Sequence, residues 1–145
     1  MEKDLKKALY QINCLMSDID AAYHQAAVKS GVSDSTSFIF YMLYVNDGCC
    51  LLNDIYKLSG ISKQTINSAV RKLEGENIIY LENLNGKAKR VCATENGKPH
   101  IREVTERLYR AEVNTFSEWT MQEINGFIKT LEKYNTLFRQ QIENL

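Results

Sequence analysis

The sequence is poor in several features, and each shortage excludes a class of protein. Pro99 is the only proline among 145 residues, which leaves no room for a rigid, proline-rich linker. No apolar run approaches the length of a membrane span, and the first residues, MEKDLKKALY, lack the apolar stretch of a signal peptide. Only two histidines are present, and no nucleophile with its base, carboxylate pair or phosphate loop is recognisable. We therefore expect neither a membrane protein nor an enzyme, and no metal or other cofactor.

The cysteines lack the spacing of a secreted disulfide framework. There are four of them: Cys14, Cys49, Cys50 and Cys92. The adjacent pair at 49 and 50 suits neither an unstrained disulfide nor a standard zinc site. We therefore expect a cytoplasmic protein with reduced thiols.

Length and composition fit a globular protein of one domain. Hydrophobic residues make up 44% and charged residues 25% of the chain, which excludes disordered and collagen-like classes. The formal net charge is zero, whereas proteins that bind nucleic acid usually carry a basic excess. Between residues 63 and 98, however, seven basic side chains accompany four acidic ones. This local excess predicts a surface that binds anions.

The stretch SGISKQTINSAVRKLEG, residues 59–75, predicts an amphipathic helix with Ser62 as its N-cap. At about 100° per residue a narrow apolar stripe forms from Ile66, Ala69, Val70 and Leu73. The opposite side carries amides, hydroxyls and cations: Gln64, Ser68 and Arg71, flanked by Asn67 and Lys72. This side lacks the Glu and Lys pairs of a merely solvated helix. Its groups are those that read base edges and grip phosphates.

Hydrophobic periodicity predicts the helices and strands in the rest of the chain. Helices are predicted over 2–29, from Ser33 or Asp34 to about Asn46, over 52–58, from a start between Thr94 and Lys98 through Ala111, and from a Thr120–Glu123 capping box almost to the C-terminus. The turn Ser59-Gly60-Ile61 joins the short helix to the one that Ser62 begins, which gives a helix-turn-helix. After Gly75 the period changes to two, and strands over 78–82 and 87–92 flank the turn Asn85-Gly86.

A helix-turn-helix followed by a hairpin is the winged helix-turn-helix arrangement, so the predicted fold class is mostly α (α+β). The second helix fits the major groove of DNA, and the hairpin brings cations to the backbone or minor groove. We predict base-facing roles for Gln64, Asn67 and Ser68, phosphate contacts for Lys63, Thr65, Arg71 and Lys72, and wing contacts for Lys87, Lys89 and Arg90. Three alternatives stay open. The polar side of the helix at 63–75 could be a surface that only contacts solvent, and the strand lysines could only prevent aggregation at the sheet edge. The winged helix could also bind a protein instead of DNA.

The order of elements and two motifs resemble the MarR family of dimeric transcriptional regulators. ISKQTINSAVRKLEGENII resembles the family's recognition helix and its exit into the wing, and VCATENGK resembles the end of the wing, with Ala93-Thr94 in place of Leu-Thr. The resemblance implies one domain over 1–145, with a winged helix-turn-helix core at 48–98 and dimerisation helices at 1–31 and 120–145. The apolar stripes of the long helices exceed what a central domain can cover, which favours a homodimer on a palindromic, double-stranded DNA site.

Two wing positions depart from the family, whose wing carries an Asp and, two residues later, an Arg. Asn85 and Lys87 stand at these positions. Because a lysine lacks the flat guanidinium fork that suits a narrow minor groove, we expect a weaker or less shape-selective grip by the wing.

The resemblance also implies a signal that releases DNA, so a repressor is the expected role. A small aromatic effector is expected to contact Tyr23, His24, Phe38 and Tyr41, although aromatic residues at helical spacing also fit a plain core. The family's organic-peroxide sensors carry a reactive cysteine on the first helix, where Cys14 lies. Its neighbours Leu15 and Met16 favour packing over reactivity, and redox sensing through Cys14 stays an alternative.

Overall fold

The computed structural model describes all 145 residues, which form six helices and three strands. In chain order the elements are α1 (Glu2–Lys29), α2 (Asp34–Val45), β1 (Cys49–Leu51), α3 (Leu52–Ser59), α4 (Lys63–Gly75), β2 (Ile79–Asn83), β3 (Lys89–Ala93), α5 (Gly97–Phe116) and α6 (Met121–Glu143). The predicted class, mostly α with a small sheet, is confirmed. The chain divides into two compact units, residues 1–108 and residues 109–145.

Hydroxyl side chains cap the starts of α2, α4 and α6, as predicted. Ser33 begins α2 by accepting a hydrogen bond from the backbone N–H of Thr36 at 3.1 Å. Thr120 and Glu123 form the capping box of α6, and each side chain accepts from the other residue's backbone N–H. Gly60 ends α3 with a φ of 65°, in the left-handed region that favours glycine. The predicted turn between α3 and α4 is therefore present.

The three strands form one antiparallel sheet in the order β1-β3-β2. Asn83 of β2 pairs with Lys89 of β3, so the predicted hairpin is present, one or two residues further along the chain. Its turn is longer than the two-residue turn expected from Asn85-Gly86, because the Leu84 N–H bonds the Ala88 carbonyl at 2.9 Å and leaves residues 85–87 in the turn. β1 escapes sequence prediction, since three residues are too few to show a period.

The core of residues 1–108 lies between α2, α3, α4 and one face of the sheet. Its largest fully buried side chains include Phe40, Ile39, Leu43, Ile55, Ile66 and Val91. α2 contributes half of this set because its nearly continuous apolar sequence is enclosed on several sides. The helix-turn-helix therefore rests on α2 and the sheet, which fix its orientation.

Thr94 and Gly97 hold the start of α5 against the segment that precedes β2. The Thr94 hydroxyl donates to the carbonyl oxygen of Asn77 at 2.6 Å, and its oxygen accepts from the Gly97 N–H at 2.8 Å. A Cβ on Gly97 would overlap the backbone carbonyl of Ile78. The glycine of the VCATENGK motif is therefore required for close contact between the start of α5 and the segment before β2.

A disulfide joins Cys49 of β1 to Cys92 of β3. The two residues face each other in the antiparallel register, with Cα atoms 4.2 Å apart. The expectation of four reduced thiols is therefore wrong at these positions, because the sheet brings together residues that are 43 positions apart in sequence. Of the two free cysteines, Cys14 is exposed and Cys50 is buried. Burial, together with the Asp54 carboxylate, raises the pKa of the Cys50 thiol to about 11.

The two long helices α1 and α6 display apolar stripes that their own units leave uncovered. In α1 only Ala27 is buried, and the exposed apolar side chains include Leu5, Leu9, Ile12, Leu15, Met16 and Ile19. No residue of α6 is buried, and its exposed side chains include Met121, Phe127, Ile128, Leu131, Leu137, Phe138 and Ile142. None of the helices combines the length and the apolar character needed to cross a membrane.

Candidate nucleic-acid interface

α4 has two chemically opposite sides. Its apolar residues are buried in the core, as predicted, and these are Ile66, Ala69, Val70 and Leu73. Seven polar residues of the same helix are exposed. The seventh is Glu74, and the other six are predicted DNA contacts: Lys63, Gln64, Thr65, Ser68, Arg71 and Lys72. The side predicted to read DNA is therefore open to solvent and free to enter a groove.

Most polar side chains on the exposed side of α4 have no hydrogen-bonding or ionic partner within the chain. The side chains of Gln64, Arg71 and Lys72 form no hydrogen bond or ion pair with other residues. Ser68 differs, because its hydroxyl donates to the backbone oxygen of Gln64 at 3.0 Å. Its oxygen can still accept, so Ser68 is suited to a donor such as a base amino group.

The N-terminus of α4 carries uncompensated positive charge. Ser62 caps the helix by accepting from the Thr65 N–H at 3.2 Å and donating to the Thr65 hydroxyl at 2.9 Å. No acidic residue lies in the first turn, so nothing neutralises the positive end of the helix dipole. Lys63 adds a full charge at the same end. This end of the helix is therefore favourable for a phosphate.

Asn67 is the one predicted α4 contact that the structure does not leave fully exposed. It is half-buried, and its side-chain oxygen accepts a hydrogen bond from the hydroxyl of Tyr56 on α3. The ammonium of Lys63 lies 5.3 Å from the centre of the same tyrosine ring, a distance at which cation–π attraction operates. Tyr56 therefore touches two predicted DNA contacts, and sequence periodicity gave no sign of it because the contact crosses between helices.

The wing cations fall into two kinds. Lys87 and Lys89 are exposed and have no acidic partner in the chain. The guanidinium of Arg90 is instead held by the carboxylate of Glu82, its cross-strand neighbour, with Nε donating at 3.0 Å. Because Glu82 offsets its charge, Arg90 differs from the two lysines that the sequence grouped with it. The hairpin register, Glu82 opposite Arg90, is the signal that identifies this pair.

The residues predicted to contact an effector all lie on α1 and α2, but in unlike environments. Tyr23 and His24 are exposed, and Nδ1 of His24 is 2.9 Å from the Asp34 carboxylate. Phe38 and Tyr41 are half-buried, and Phe38 packs against the core. Cys14 is exposed on α1, while the cysteines that are paired lie in the sheet.

Neither a family model nor a curated protein matches the sequence. Solved structures do match the fold. A MarR family regulator from Neisseria meningitidis superposes with a TM-score of 0.85 at 16% identity, covering 94% of this chain and 97% of that one. The MepR–DNA complex from S. aureus gives 0.65 at 18% identity over 89% and 96% of the two chains. The organohalide-sensing regulator RdhR, bound to 2,4-dichlorophenol, gives 0.62 at 17% identity over 91% and 80%. The chain therefore has the winged helix-turn-helix fold of the matching solved structures, five of which are described as regulators of the MarR family.

Proposed function

We propose that the chain is a sequence-specific, double-stranded DNA-binding transcriptional regulator of the MarR type, without enzymatic activity, that works in the cytoplasm. The exposed polar side of α4 carries this proposal. Its apolar side is buried, so the helix is held with Gln64, Ser68 and Arg71 directed outward. A helix of this kind fits a major groove about 12 Å wide. The two unpaired wing lysines, Lys87 and Lys89, supply charge for the neighbouring backbone.

Similarity to regulators of the same fold supports DNA as the partner. One matching structure is a protein–DNA complex, and the match extends over nearly nine-tenths of this chain. The zero net charge of the whole chain is compatible with this partner because the basic residues concentrate near α4 and the wing.

We further propose that the regulator acts as a homodimer on a palindromic operator. The exposed apolar stripes of α1 and of α6 are each longer than the scattered apolar residues of an ordinary surface. A second copy of the chain carries the same stripes, and a symmetric dimer would bury them against each other. Two recognition helices would then meet DNA about one helical turn, or roughly 34 Å, apart.

A small aromatic effector is the proposed signal, and repression the proposed outcome. A regulator of the same fold binds 2,4-dichlorophenol, and α1 and α2 of this chain carry the aromatic residues Tyr23, Phe38 and Tyr41. An effector that binds the DNA-free form more tightly would release the operator by population shift.

Selection from a random pool of duplex DNA with the purified protein tests the proposal. We expect a palindrome to be enriched, with an affinity that falls steeply with salt, each phosphate contact adding about 0.9 to the logarithmic slope. The rival function, a winged helix that binds protein, predicts no enriched sequence and no salt-dependent retention of duplex DNA.

A further inference from the structure

Tyr56 connects the two helices of the helix-turn-helix through its hydroxyl and its ring. The hydroxyl donates to Oδ1 of Asn67, and the ring lies under the ammonium of Lys63. Tyr56 is itself half-buried and packs against the core, so its position is fixed by the fold. Lys63 and Asn67 are four residues apart and lie on the same side of α4.

We propose that Tyr56 is a positioning residue that holds the amide of Asn67 in one orientation for reading a base. The inference rests on the proposed function and goes beyond it, because Tyr56 is not among the residues predicted to contact DNA. With Oδ1 engaged by the phenol, the amide of Asn67 is held in one orientation and its Nδ2 hydrogens remain free. The oxygen keeps its second lone pair, so Asn67 presents a donor group and an acceptor in a fixed orientation.

This orientation has a consequence for base preference. An asparagine that pairs with adenine donates to N7 and accepts from the N6 amino group, so it needs its oxygen. The second lone pair of Oδ1 remains available for this contact while the first accepts from Tyr56. Because Oδ1 is tied to α3, the amide is hindered from turning over, which would exchange its donor and its acceptor. Tyr56 therefore sharpens the base preference of Asn67.

Tyr56→Phe separates the two contacts, because it removes the hydroxyl and keeps the ring beneath Lys63. We expect the variant to fold and to keep the salt dependence of wild type, since the cation–π contact survives. The base preference should fall about tenfold at one position of each half-site, and at no other. Asn67→Ala identifies that position independently, as the one where its own base preference is lost.

The measurement is the affinity for the selected duplex and for each single-base variant of it, by fluorescence anisotropy, with thermal unfolding as a check on folding. Tyr10→Phe is the matched control, since Tyr10 is 71% exposed on α1 and lies outside the helix-turn-helix. In the Asn67→Ala background, Tyr56→Phe should change nothing further.

Two failures are distinguishable. If the wild-type protein selects no duplex, the proposed function fails. If wild type selects a site and Tyr56→Phe retains every base preference, or changes preference equally with and without Asn67, the role of Tyr56 is overturned while the function stands.

Discussion

The apolar side of α4 is buried in its own unit, whereas that of α6 is exposed along the whole helix. Both helices are amphipathic and both begin at a capping hydroxyl, Ser62 in one and Thr120 in the other. α4 uses its stripe to fix its orientation on the core, which leaves its polar side for a ligand. The apolar stripe of α6 is not covered within its unit, and an exposed apolar surface of this kind is typical of an interaction site. The same periodicity thus leaves a polar side exposed in one helix and an apolar side exposed in the other.

The largest effect should come from removing the buried side of α4. Ile66→Ala deletes a fully buried side chain, so the free energy of unfolding should fall by about 2–5 kcal/mol. Gln64→Ala, on the exposed side of the same helix, should change it by less than about 0.5 kcal/mol. Urea denaturation monitored by circular dichroism measures both. Equal effects would mean that the two sides of α4 do not differ as described.

The sheet on which α4 rests provides the next prediction. The Cys49–Cys92 disulfide joins two of its strands across a long loop, so replacing both cysteines with serine should lower the free energy of unfolding by about 2–4 kcal/mol. Cys14→Ser, on exposed α1, is the control and should have little effect. Identical urea midpoints for the double variant and wild type, without reductant, would show that the crosslink does not support the sheet.

One charge tests whether the apolar stripe of α6 is the proposed dimer interface. Leu131 is 48% exposed in the single chain, so Leu131→Glu should leave the fold intact and prevent self-association. Binding to a palindrome should then weaken by about 100-fold or more, because the two half-sites are no longer linked. Sedimentation and anisotropy together measure the effect.

Gln140→Glu makes the same change of charge on the opposite side of α6, about 180° around the helix from Leu131. It should remain dimeric and bind like wild type. A dimer that survives Leu131→Glu, or a wild type that sediments at 16.7 kDa, would remove the assigned role of α6.

The alkylation rates of the two free cysteines compare the core with the exposed helix α1 without any change of sequence. Cys50 is buried and its raised pKa, about 11, keeps the thiol protonated at pH 8, so alkylation there should be slow. Cys14 is exposed and lies about 180° around α1 from the stripe residue Leu5 and about 140° from Leu9, so we expect it to stay accessible in a dimer. Mass spectrometry after iodoacetamide should find Cys14 modified first. Equal rates at both sites would contradict the burial of Cys50.

Local signals were sufficient for most of the fold. The periodicity of residues 63–75, Ser62 and the turn at Gly60 predicted α4 and its orientation, because those signals act within a few residues. Gly97 belongs to VCATENGK, the motif that resembles the end of the family's wing. The structure explains why a glycine is needed there, since its backbone lies in close contact with Ile78. β1 and the Cys49–Cys92 disulfide were missed, because both depend on a strand pairing between distant segments.

The candidate site was predictable only in part, for the same reason. The exposure of Gln64, Ser68 and Arg71 follows from the helical period, and the structure agrees. Pairing of Arg90 with Glu82 and of Asn67 with Tyr56 depends on neighbouring elements. Charge and helix position alone therefore describe these two residues as free groups, which they are not.

The exposed side of α4 is tested most directly by comparing Gln64→Ala and Arg71→Ala on the selected duplex and on a random duplex. If Gln64 reads a base as proposed, Gln64→Ala should weaken binding to the selected duplex about tenfold and spare the random one. Arg71→Ala should weaken both and reduce the salt slope by about one. Lys29→Ala, an exposed cation at the end of α1, is the control. If both α4 variants bind the selected duplex as tightly as wild type and the control, α4 is not the recognition helix.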